Sequence, residues 1–151
     1  MNPKIAIDHG QTEQVPTAAA ATAPAWSPRE DVIAYIEPRG GTIGAFLKFV
    51  RSNGDVVHDR GAVLEAQNLS NGFVSWSPDG RRLAAVSLPG AFSGSIWIVE
   101  PEGATPFRKL LDLTAGVLLR GMTWSRDGSS LIVGRIQSAG DIFFAERSVR
   151  R

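Results

Sequence analysis

The sequence predicts an all-β chain assembled from a repeated four-stranded unit, and three observations carry that expectation. A short pattern occurs three times, as Trp26-Ser27-Pro28, as Trp76-Ser77-Pro78-Asp79-Gly80 and as Trp124-Ser125-Arg126-Asp127-Gly128. Its tryptophans are 50 and 48 residues apart, within the range of periods that marks a repeat architecture. Each copy is followed by a short apolar run of strand length, beginning at Val32, Leu83 and Leu131.

The unit is read most easily from its middle copy. Phe73 to Trp76 is a short β-favouring run that ends at Pro78-Asp79-Gly80. Pro78 presets φ, Asp79 bonds to nearby backbone and Gly80 accepts a positive φ, so Ser77 to Arg81 reverses the chain between two strands. Arg82 to Leu88 is the second strand, and Pro89 to Ser95 reads as a Gly/Ser-rich loop. Ile96 to Val99 is the third strand, and Glu102-Gly103 turns the chain into a fourth from Phe107 to Leu113. Four short antiparallel strands recurring at about fifty residues describe one blade of a β-propeller.

The segments WSPDGRRLAAV, SIWIVEPEG and the leucine-rich fourth strand resemble TolB-type, WD-like β-propeller repeats, and the resemblance covers roughly Pro24 to Arg147. It implies a fold and no single activity, since such propellers serve as binding platforms, as gates on hydrolases and as sensor modules.

Taken in order, the chain divides into 1–23, a linker or the remnant of a preceding blade; 24–72, blade one; 73–121, blade two; and 122–151, blade three. In the first segment, Ile5–Asp8 and Glu13–Val15 read as short strands. Thr17–Ala23 reads as linker, because prolines bracket it and it has no amphipathic period. In blade one, Arg29 and Glu30 stand where Asp79 and Gly80 stand in blade two, so a looser first hairpin is expected, either with a non-glycine at positive φ or with another turn type. Val32–Ile36 and Phe46–Val50 follow as strands, and Asn53-Gly54 marks the hairpin to Val56 and Val57. Blade three offers three strands, Met122–Trp124, Leu131–Arg135 and Ile142–Ala145. A ring needs about 4–8 blades. The expectation is therefore the C-terminal part of a larger propeller, ahead of a ring closed by two copies or an open array.

Composition narrows the functional classes. The 151 residues carry a formal charge of +1, with no electrostatic footprint for nucleic acid and no apolar run long enough to insert in a membrane. There is no cysteine, which removes disulfides and thiolate chemistry. No signal peptide is read in this chain. The compartment stays open: periplasmic by the family resemblance if an upstream signal was lost, otherwise cytoplasmic.

The chemistry-bearing residues favour structure over catalysis. Tryptophans at one site of every repeat are expected to pack between blades, and the serines to cap the following turns. Asp79 and Asp127 are turn residues before they are catalytic carboxylates. His9 and His58 lack metal-ligand spacing, GAFSGS at 90–95 fails the nucleophile-elbow pattern at Phe92, and the loop Arg39–Gly44 lacks the phosphate-binding Lys-Ser/Thr ending. Arg147, Arg150 and Arg151 read as a solvated end. The reading is a non-enzymatic protein-interaction platform with no catalytic, metal or cofactor residues. Its expected surface is the loops Glu37–Ala45, Pro89–Ser95 and Gln137–Gly140. The alternatives are the gating propeller of a prolyl-oligopeptidase or dipeptidyl-peptidase-like hydrolase, or the sensor propeller of a multidomain bacterial signalling kinase.

Overall fold

The computed structural model describes residues 2–5, 12–15, 21–38, 45–59, 73–90, 93–101, 107–113, 118–136 and 142–146, and every regular element among them is a β-strand. A hairpin of β1 (Asn2–Ile5) and β2 (Thr12–Val15) comes first. Blade one comprises β3 (Thr22–Trp26), β4 (Ile33–Pro38), β5 (Ala45–Val50) and β6 (Val56–Asp59), hydrogen-bonded in that order. Blade two repeats it with β7 (Val74–Trp76), β8 (Leu83–Gly90), β9 (Ser93–Val99) and β10 (Phe107–Leu113). Blade three contributes β11 (Leu118–Trp124), β12 (Ser130–Ile136) and β13 (Ile142–Glu146). All neighbouring strands are antiparallel.

Four local expectations are revised. The first N-terminal strand includes Asn2–Ile5, with Ile5 opposite Thr12, so it begins earlier than the expected Ile5, and residues 6–8 of that expectation lie outside the described residues. With few apolar residues there, the pattern had nothing to fix the register. Thr22 and Ala23 belong to β3 and not to a linker, because a bulge between Thr22 and Ala25 absorbs Ala23 at φ 51°. Most of Pro89–Ser95 is also strand. β8 runs through Pro89 to Gly90, which pairs with Ser93. β7 pairs with β8 only as far as Ala85, so Pro89 lies beyond that neighbour and its missing N–H takes no ladder bond from it. Glu37, Pro38 and Ala45 are likewise strand residues. Arg39–Gly44, Glu102-Gly103, Gln137–Gly140, Thr17–Ala20, His9, Arg147, Arg150 and Arg151 lie outside the described residues.

The core sits between the sheets. Alternate residues of a strand point to opposite faces, and β8 is buried on both. Leu83 and Ala85 join Val99 against Val32, Ala34, Leu47 and Phe49 of blade one. Ala84 and Val86 join Ile96 and Ile98 against Leu119, Leu131 and Val133 of blade three. That double burial is why Leu83–Val86 is continuously apolar instead of alternating. On the far face of blade one, Ile33, Tyr35 and Val50 pack with Val15 and Ala21, so the β1–β2 hairpin lies on the side opposite blade two.

The inner strands are also tied by directed bonds. The Trp76 indole donates from Nε1 to the Ala25 carbonyl of β3 at 2.9 Å, and Trp124 donates in the same way to the Ser75 carbonyl of β7 at 2.9 Å. Each tryptophan thus caps the edge strand of the preceding sheet while its ring fills the gap between sheets, and Phe49 meets Trp76 edge-on with centroids 6.0 Å apart. Trp26 is 45% exposed. Trp76→Ala therefore removes packing and a hydrogen bond, an expected loss of about 3–5 kcal/mol, whereas Trp26→Ala costs clearly less. Urea unfolding of both variants measures the difference, and equal costs would sink the inter-blade assignment.

Candidate functional site

The residues of the repeated pattern gather at the first turn of each blade, where one closing bond recurs. Ser27 N–H donates to Val32 O at 2.7 Å, Ser77 N–H to Arg82 O at 2.8 Å, and Ser125 N–H to Ser130 O at 2.9 Å. Inside the second and third turns, Gly80 N–H donates to Ser77 O and Gly128 N–H to Ser125 O, each at 2.9 Å. Gly80 and Gly128 stand at φ 66° and 70°, a left-handed conformation that side chains disfavour. The serine hydroxyls finish the turns. Ser77 Oγ accepts from Arg82 N–H at 2.9 Å and lies 2.5 Å from Asp79 Oδ1, while Ser125 Oγ accepts from Ser130 N–H at 2.9 Å and donates to Asp127 Oδ1 at 2.6 Å.

Blade one resolves its missing Asp-Gly by changing turn type. No residue from Ser27 to Val32 takes a positive φ, and Val32 N–H donates to Glu30 O at 2.8 Å in place of the glycine bond. Without a carboxylate to engage, Ser27 Oγ accepts instead from Arg29 and Glu30 N–H, at 3.3 Å each. Its backbone bonds are as short as those of its counterparts, but its serine hydroxyl makes longer ones.

The turn carboxylates serve those bonds. The Ser125 hydroxyl, then the Ser129 amide and hydroxyl, hold Asp127 down at about 2, and the Ser77 hydroxyl and the Arg81 amide lower Asp79. Asp112 on β10 is lowered by Ser95 of β9, whose Oγ lies 2.6 Å away, and by Lys109. Asp79 and Asp127 belong to separate turns, each bonded within its own. Among the described residues, no three of His, Asp and Glu gather as a metal site.

Contacts between successive turns were not legible from the pattern. The Arg29 stem lies against Gly80, 3.2 Å from where a Cβ would stand, and Pro78 Cδ lies 3.5 Å from the same point on Gly128. Arg82 reaches into blade three, where its guanidinium lies 5.0 Å from the Trp124 ring centroid and donates to Gly128 O at 3.1 Å. Between blades one and two, by contrast, lies a cleft of about 430 Å³. Val32, Phe49, Trp76 and Pro101 line it with apolar surface, and Arg29, Glu30, Asp79, Gly80 and Arg81 complete its wall. On blade one, toward the other strand ends, Glu37 pairs with Lys48 at 3.2 Å, and the second carboxylate oxygen of Glu37 is buried with no hydrogen-bond partner among the described residues.

Two outcomes follow from the turn chemistry. Alanine at position 128 is strained by φ alone, at about 1–2 kcal/mol, and alanine at position 80 must also displace the Arg29 stem; Gly80→Ala is expected to cost more than Gly128→Ala in urea unfolding. Asp127 is depressed relative to its ordinary 3.8. Its stabilising contribution is present above the ordinary 3.8 and is lost as pH falls through about 2. Asp127→Asn should therefore lower the melting temperature at pH 7, with a gap that narrows as pH falls through about 2 and closes below it. A gap independent of pH would contradict the turn role.

No family model matches the sequence, and no curated protein does. The fold is similar to that of hydrazine synthase from Kuenenia stuttgartiensis, with a TM-score of 0.65 at 20% identity over 87% of this chain and 42% of that one. It is also similar to TolB from Acinetobacter baumannii, with a TM-score of 0.62 at 18% identity over 93% of this chain and 36% of that one. The β-propeller domain of the trilobed protease from Pyrococcus furiosus aligns at a TM-score of 0.51 and 14% identity, over 87% of this chain and 43% of that one. The chain spans less than half the length of each. Its sheets, their order and these likenesses together give one fold: part of a β-propeller.

Proposed function

We propose that this part of a β-propeller is a non-enzymatic platform for protein partners. The observation that carries the reading is the repetition of the rim. The turns at 27–32, 77–82 and 125–130 share one closing hydrogen bond, and their inner strands are tied side by side through Trp76 and Trp124. A rigid row of turns of this kind presents side chains at fixed spacing, and here Arg29, Glu30, Arg81 and Arg126 are exposed with both signs of charge. Rigid scaffolds that carry exposed connections are well suited to recognition, because little ordering entropy is lost on binding. The opposite ends of the sheets form a second candidate rim, where Pro38 pairs with Ala45 and Gly90 with Ser93.

Photo-crosslinking distinguishes the rims. A crosslinking amino acid at position 81 reports on the first-turn rim, and one at position 91 reports on the β8–β9 end. A protein adduct formed at one position and absent at the other is the expected result. Adducts at neither position, or the same spread of adducts at both, would refute the platform.

A further inference from the structure

We infer that the cleft between blades one and two is a receptor for the arginine side chain of a peptide, because the corresponding junction between blades two and three is filled by an arginine of this chain. Arg82 and Val32 occupy the same place in their blades. Each follows its tryptophan by six residues, and each gives the carbonyl that closes the first turn. Arg82 extends into the next junction, lies over Trp124 at 5.0 Å and donates to the Gly128 carbonyl at 3.1 Å. Val32 is too short to do either. What remains is the cleft of about 430 Å³, lined by Trp76 and Gly80, the counterparts of Trp124 and Gly128.

The unfilled junction keeps the recognition groups. Among the described residues no cation lies over the Trp76 ring and no donor reaches the Gly80 carbonyl. A guanidinium is planar and weakly hydrated, so it stacks on an indole while donating in its own plane, which an ammonium does less well. Glu30 and Asp79 bring carboxylates to the wall. Arg29 and Arg81 line the same cleft, so its wall carries both signs of charge; Glu30, Arg29 and Arg81 are all exposed and screened by solvent, and recognition therefore rests on the indole face and the Gly80 carbonyl. The inference deepens the platform reading by naming a side chain for the first-turn rim. It rests on that reading only for the partner's being a protein, so a short peptide tests the cleft separately from the crosslinking.

The test is a titration of the ¹⁵N-labelled full chain with acetyl-Gly-Arg-Gly-amide and with its citrulline counterpart, a neutral isostere. The expected result is movement of the Trp76 indole and Gly80 amide signals without movement of the Trp124 indole, and binding of citrulline at least about ten-fold weaker. Val32→Arg should fill the cleft from within and abolish these shifts. Arg82→Val should open the second junction and add peptide-dependent shifts at the Trp124 indole and the Gly128 amide. Absence of shifts at Trp76 with millimolar peptide, equal response to citrulline, or unchanged binding by a folded Val32→Arg protein would overturn the proposal. If Val32→Arg does not fold, Arg82→Val decides: no new response at Trp124 overturns it equally.

Discussion

The structure depends on one directed interaction, the hydrogen bond from a tryptophan indole to the carbonyl of the inner strand one blade earlier. Burial of apolar surface is non-directional and would let two sheets slide against each other. The bonds from Trp76 to Ala25 and from Trp124 to Ser75 fix the offset between blades, because a shift would leave a half-buried indole N–H without its acceptor. With that offset fixed, Leu83 and Ala85 meet one neighbouring sheet and Ala84 and Val86 the other.

The first turns are organised around the same tryptophans. Serine follows tryptophan in each copy because its amide closes the turn and its hydroxyl satisfies groups within it; Ser77 is fully buried and needs those partners. Asp and Gly then complete a compact turn in blades two and three. Blade one reaches the same closing bond without them, through a different internal bond and longer contacts to Ser27 Oγ. The repeat therefore tolerates loss of turn chemistry more readily than it would loss of the indole.

The all-β fold and the blade repeat were legible because tryptophan spacing, turn residues and apolar runs agree with one another. The fourth strand of blade two, Phe107–Leu113, coincides with the run read from sequence. Where the signals were thin, the boundaries moved. Asn2–Ile5 has too few apolar residues to fix a register, Ala23 is hidden in a bulge, and Pro89 reads as a loop residue although it lies beyond the reach of β7. The cleft was not legible, because it arises from a difference between repeats and not from the pattern they share. Its one sequence signal is the pair Val32 and Arg82, at the same distance from their tryptophans.

Blade two touches sheets on both sides, while the indole bonds link only successive blades. Energy is therefore shared between nearest neighbours, as in a one-dimensional array of coupled units. Opening β8 breaks two interfaces at once, since its alternate residues are buried against both neighbouring sheets. A perturbation in blade one reaches blade three through blade two, and the Leu83–Val86 segment is one route among the described residues, because its alternate side chains face both neighbouring sheets. Four consecutive residues of one strand thus couple the two junctions mechanically, in parallel with the indole bonds.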